Sequence, residues 1–239
     1  MEYVIILFGC AVGCALNMVC GFGFGVFCMM FLPYAMGSTV QATAIINIIT
    51  LIQSTWIAIR YRKHIQWKLF LVPLAAYAVT CFWAVRLAVG LDNQVMKRIL
   101  GAFLAVMSVY FIFIARRVRL KASTRNGLIA GAIGGVMSGM FATGGPPASL
   151  YYSATTDTKE EYLATIQGYF VFTNLYVVIL RAANGVMNAH VLTATAVGFG
   201  GLILGTLLGS TIFKRISIDF MRKAIYCMMA VSGVLMLVT

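Results

Sequence analysis

Residues 142–150 read ATGGPPASL and residues 20–25 read CGFGFG, two glycine-rich breaks within apolar stretches. Glycine gives the backbone freedom, and proline is accepted in the first turn of a helix, where its missing N–H would lack a partner anyway. A helix is therefore expected to start at Pro146, and another after the CGFGFG break, running to about Pro33. The first turn of a helix carries free N–H groups and a partial positive charge, so each break can hold a small anion by its backbone. Uncharged polar side chains recur at helical spacing. Asn47, Thr50 and Gln53 stand at i, i+3, i+6, and Gln167 with Asn174 at i, i+7, which puts each set on one helix face as amide or hydroxyl donors.

The charged residues argue for an anion and against a cation. Glu2, Asp92, Asp157, Glu160, Glu161 and Asp219 all lie at or beyond the ends of apolar segments, so no carboxylate is expected at depth to neutralise a cation or relay a proton. His64 and His190 are also near ends. No Ser/His, Gly-Asp or His-Glu-x-x-His constellation falls at depth, so neither an enzyme activity nor a cofactor or metal is expected. The six cysteines form no Cys-x-x-Cys pair and read as small buried hydrophobes. Arg86, Arg98 and Arg181 fall near segment ends, where long side chains snorkel to the interface; guiding an anion at a cavity mouth is the alternative role.

The elements that carry these residues are transmembrane. Of 239 residues 62% are hydrophobic and 10% charged, against about 25% charged in an ordinary soluble domain. Eight apolar segments are expected, at about 2–35 (interrupted), 38–59, 66–90, 93–115, 124–153 (interrupted), 160–182, 189–213 and 219–238, several near the roughly 20 residues that cross a bilayer. The first lacks a basic flank and a cleavage site and is expected to be a retained helix. The chain is thus expected to be an all-α polytopic membrane protein whose surroundings are the lipid bilayer.

The formal net charge of +12 does not point to nucleic acid. RYRKHIQWK (60–68) and RRVRLKASTR (116–125) hold nine of the basic residues, both at segment ends, which is the pattern that orients helices with basic loops in the cytoplasm.

The chain also repeats itself. An offset of 121 residues lays AVGCALNMVCGFGFG (11–25) over AIGGVMSGMFATGGP (132–146), Gln53 over Asn174 and Arg60 over Arg181; an offset of 125 lays VMKRILGAFLAV (95–106) over FMRKAIYCMMAV (220–231). The economical description is one membrane domain of two repeats, 1–120 and 121–239, each of four apolar segments with the first one broken. If the broken segments cross, the halves are parallel; if they dip in and return, the halves are inverted. The basic pair Lys214 and Arg215 favours inversion and the acidic run 157–161 opposes it; inversion is the preferred arrangement.

A broken helix survives in hydrocarbon only where protein or a water-filled cavity surrounds it, because an unpaired backbone group costs several kcal/mol there. Two repeat-related breaks therefore point to an internal anion site, against the plainer reading that the glycines only permit close helix packing.

The two-half layout, the GFGFG break and the GGPP break resemble those of the TauE/SafE sulfite exporter family of bacterial inner-membrane proteins, over essentially the whole chain. The resemblance implies export of sulfite or a small organosulfonate, with the substrate lined by Gly21, Gly23, Gly25, Thr143, Gly144, Gly145 and Pro146. Here the first break has no prolines. The expected function is a secondary transporter exporting a small anion by alternating access around half-helix N-termini, with an anion channel built on the same breaks as the second reading. Whether the chain acts alone or as a homodimer stays open.

Overall fold

The computed structural model describes residues 2–110, 123–212 and Val234. Apart from Val234, the expected segment 219–238 lies outside the described residues, as do the end of 93–115 and the second partner of the 125-residue repeat. Those described form α-helices and short 3-10 turns, with no strand among them: α1 (Glu2–Cys20), α2 (Phe24–Cys28), α3 (Leu32–Ala35), α4 (Thr39–Arg60), α5 (Leu71–Gly90), α6 (Asn93–Val109), α7 (Thr124–Phe141), α8 (Gly145–Thr155), α9 (Lys159–Ala183) and α10 (Ala189–Ile212). Five spans are long and apolar enough to cross a membrane: α1, α4, α9, the 21 residues Ala189–Gly209 of α10, and α5 taken from Trp67. The protein is a multi-pass helical membrane protein.

Local chemistry sets the helix ends. Ser38, Asp92, Ser123 and Thr158 cap α4, α6, α7 and α9, each accepting a hydrogen bond from a backbone N–H two or three residues on, which satisfies one of the four donors a helix start leaves open. Gly21, with φ of 77°, ends α1 in the left-handed region that suits glycine. Ala142 ends α7 with φ of 54° and is the one non-glycine among the described residues held there.

One expectation is corrected in the first break. The helix expected to run to about Pro33 is two short pieces, α2 of five residues and α3 of four. Pro33 has no N–H to give to Met29, and its ring would crowd that carbonyl, so the α2 helix cannot continue through it.

Three helix pairs make the body of the fold: α5 with α7, α1 with α10, and α4 with α9. Glycines on α7 and α10 let the first two pairs close. Gly131 lies on the backbone of Pro73, Gly135 on Tyr77 and Thr80, and Gly139 on Cys81, Ala84 and Val85, so α5 and α7 run in the same direction. Likewise Gly201, Gly205 and Gly209 lie on Leu7, Ala11 and Ala15, so α1 and α10 are also parallel. These are small-residue seams of the kind membrane helices use for close approach. In the third pair Ile57 packs with Leu163 and Ser54 bonds to Gln167, so α4 and α9 run antiparallel. Outward-facing residues such as Phe8, Trp83, Ile179 and Leu207 are large and apolar, as a lipid-facing surface requires.

Candidate functional site

The two breaks meet. Gly25 in the first turn of α2 abuts the carbonyl oxygen of Ala142, so closely that a Cβ at Gly25 would collide with it, and Gly145 at the start of α8 abuts Phe22. Where they cross, α1, α4, α5, α7 and α9 enclose a cavity of about 30 Å3, against the ~10–15 Å3 needed for one water. Its wall includes Asn17, Phe22 to Val26, Thr50, Tyr77, Ser138, Ala142 to Gly145, Tyr169, Phe170, Thr173 and Asn174, with no Asp, Glu, Lys, Arg or His. Of the residues expected at the site, Gly23, Gly25, Thr50, Thr143, Gly144, Gly145 and Asn174 are thus brought to one wall, while Gly21, Asn47, Gln53, Pro146 and Gln167 are not in it.

Those outside have other tasks. Gln53 donates through Nε2 to the Cys14 carbonyl at 2.8 Å and to Thr206 Oγ1 at 3.1 Å, and its Oε1 accepts from Asn17 Nδ2 at 2.8 Å. It ties α4 to both helices of the α1–α10 pair. Gln167 accepts from Ser54 Oγ at 2.6 Å and donates to the Gly21 carbonyl at 3.0 Å. Tyr162 donates its hydroxyl hydrogen to the Cys20 carbonyl at 3.1 Å, which leaves Ser149 Oγ, 2.7 Å away, as the donor to Tyr162. Together they satisfy carbonyls that the end of α1 leaves without helical partners. Pro146 and Pro147 stand in the first turn of α8, removing two of its open N–H donors while keeping the helix start. Asn47 is fully buried, and neither its Oδ1 nor its Nδ2 has a hydrogen-bond partner.

Inside the cavity the threonine hydroxyls present oxygen rather than hydrogen. Thr50 donates to the Ile46 carbonyl at 2.7 Å and Thr173 to the Tyr169 carbonyl at 3.1 Å, each on its own helix, so a hydroxyl with one hydrogen has only lone pairs left to face inward. Tyr77 donates to Ser138 Oγ at 2.7 Å. Asn17 and Asn174 each donate one amide hydrogen, to Gln53 and to the Phe170 carbonyl at 2.8 Å, and keep a second. Those two amide hydrogens, the hydroxyl hydrogens that Ser138 and Tyr169 keep, and the open N–H groups at the starts of α2 and α8 are the donors available to an anion.

The expected set omitted Asn17, Tyr77, Ser138, Tyr169 and Thr173. Asn17 and Ser138 carried a signal: each stands one turn before its break, and the 121-residue offset maps one onto the other. Tyr77 and Tyr169 carried none, since an aromatic residue inside an apolar span reads equally as core.

The cavity is lined by the two helix breaks and carries no Asp, Glu, Lys, Arg or His. The model of the sulfite exporter TauE/SafE family matches residues 5–236. The chain belongs to the TauE/SafE family. This is a transporter family, and its match spans both breaks and all the helices of the body. No curated protein and no solved structure matches the chain.

Arg181 needs a correction of a different kind. Arg86 and Arg98 are exposed, Arg86 lying 4.4 Å over the Phe82 ring, as snorkelling side chains should. Arg181 is fully buried and donates from Nη2 to the Gly139 carbonyl at 2.8 Å. It falls in the last turn of α9, but its guanidinium turns inward to that carbonyl of α7 and not out to the interface.

Proposed function

We propose that this TauE/SafE protein is a secondary transporter that exports a small anion, sulfite or a small organosulfonate, across the bacterial inner membrane. The observation that carries the reading is the contact of the two breaks, Gly25 on Ala142 and Phe22 on Gly145, around an uncharged cavity. A guest held there by backbone and amide hydrogens meets no buried carboxylate, since the described acids all stand exposed or half-buried at helix ends.

Alternating access rests on two inverted repeats, 1–120 and 121–239. The 121-residue offset relates α1 to α7, α4 to α9 and α5 to α10, and three features support it. The left-handed residues Gly21 and Ala142 correspond. The seam of α1 with α10 has its counterpart in the seam of α7 with α5. The corresponding helices α4 and α9 are antiparallel, as inversion demands. With the basic 60–68 turn in the cytoplasm, α4 ends and α9 begins on that side. There Met18, Ile57, Leu163 and Tyr61 pack together beneath the cavity, and rocking of one repeat against the other would open that packing or the opposite side in turn.

The test is counterflow of labelled sulfite and sulfoacetate in proteoliposomes. Saturable exchange supports the transporter. Currents too large for a carrier would instead make the breaks a channel filter, and no flux of either anion would remove this cargo.

A further inference from the structure

Among the described residues Arg181 is the one fully buried charge. Its Nη2 reaches the Gly139 carbonyl, while Nε and Nη1 have no hydrogen-bond partner. A guanidinium carries five N–H donors and stays charged, and an unpaired charge in a protein interior is strongly unfavourable unless a counter-charge arrives. None of the five described carboxylates bonds to it: the one ion pair among the described residues joins Glu2 to His190 at 2.9 Å.

Its position relates it to the cavity. Arg181 follows Asn174 by seven residues, two turns along one face of α9 or about 10 Å. Gly139, which it holds, follows Ser138, and Ser138 is bonded to Tyr77 in the cavity wall. The Tyr77–Ser138 pair therefore stands between the cavity and the guanidinium. A second orphan lies at the same side. From the Ser54–Gln167 bond, seven residues along each of the antiparallel helices lead to Asn47 and Asn174, so the unpartnered Asn47 amide is level with Asn174, two turns along α9 from Arg181. The repeat equivalent, Arg60, is exposed at the opposite end, over the Trp56 ring. Only one of the two arginines is enclosed.

We infer that Arg181 recognises the charge of the transported anion, taking its oxyanion head on the guanidinium fork after it passes Tyr77 and Ser138 on the side away from the 60–68 turn. The planar fork matches two oxygens of a sulfonate, sulfite or carboxylate and has no such match to a halide, so the residue selects oxyanions over chloride. This deepens the transport reading and rests on it.

The experiment compares full-length wild type, Arg181→Gln, Arg181→Lys and Asp219→Asn. Each is measured for counterflow of sulfite and sulfoacetate, and in detergent for the rise of melting temperature with sulfite, sulfoacetate or chloride at matched ionic strength. In wild type the oxyanions raise the melting temperature and chloride does not. Arg181→Gln raises the apparent KM by about 10- to 100-fold and abolishes the rise, the scale expected for losing a charge-assisted fork. Should Arg181→Gln fail to fold, Arg181→Lys keeps the charge and is expected to lose the preference for oxyanions over chloride. Unchanged KM and an unchanged rise in Arg181→Gln, or oxyanion preference intact in Arg181→Lys, would mean that the side chain only braces Gly139 and would overturn the inference. So would Asp219→Asn reproducing the Arg181→Gln losses, because Asp219 would then be the partner. Wild type that gains stability with oxyanions but shows no counterflow removes the transport reading and keeps the Arg181 site. Counterflow with no anion-dependent rise does the reverse.

Discussion

Gln167 donates its Nε2 hydrogen to the carbonyl oxygen of Gly21 at 3.0 Å, bridging 146 positions of chain to satisfy the residue at which α1 breaks. The same amide accepts from Ser54 at 2.6 Å, so one buried side chain couples α4, α9 and the first break. Changing Gln167 to Leu leaves Ser54 Oγ and the Gly21 carbonyl unpaired in the interior. At about 1–3 kcal/mol for each unsatisfied buried group, the melting temperature in detergent should fall by several degrees, with counterflow falling too because the break loses its support. A variant as stable as wild type would show that water replaces the amide.

The contact between the breaks predicts an unequal response to adding one methyl group. Gly25→Ala drives a Cβ into the Ala142 carbonyl, and Gly205→Ala drives one into the backbone of Ala11. Each is expected to cost about 1–3 kcal/mol as overpacking, more where only backbone could yield. Gly90→Ala, with nothing within 4 Å of the added carbon, should be neutral. Comparing thermal melts of the three tests the packing directly, and equal tolerance of all three would contradict it.

Gln53 and Asn174 stand 121 residues apart yet differ in place, and kinetics should separate them. Gln53→Ala removes bonds to Cys14, Thr206 and Asn17 and is expected to lower stability while KM for the exchanged anion stays within about twofold in the protein that folds. Asn174→Ala removes an amide from the cavity wall and should raise KM about 5- to 10-fold, the loss of one hydrogen bond of about 1 kcal/mol. The opposite split in counterflow kinetics would exchange their roles.

Tyr77→Phe deletes the hydroxyl that bonds Ser138 at 2.7 Å. Stability should drop by about 0.5–1.5 kcal/mol. Counterflow should speed up, since the bond closes the wall between the cavity and Arg181. Slower exchange in stable protein would mean that Tyr77 binds the anion and does not bar its way.

The repeated apolar lengths, the breaks at 20–25 and 142–147, and the absence of carboxylates from the spans were legible in the chain alone. Each depends on hydropathy or on the local conformational limits of glycine and proline, which act over a few neighbouring residues. The tasks of the polar side chains were not legible. Gln53 and Gln167 have the same spacing signal as Thr50 and Asn174, but where an amide spends its hydrogen bonds depends on partners up to 153 positions away. Thr50 and Thr173 face the cavity with lone pairs because each gives its single hydrogen to its own helix, a choice of rotamer that spacing does not express. For Arg181 the distance to the helix end suggested an exposed charge. In the fold the side chain turns inward to the Gly139 carbonyl of α7, and only the tertiary structure decides which helices stand beside a given end.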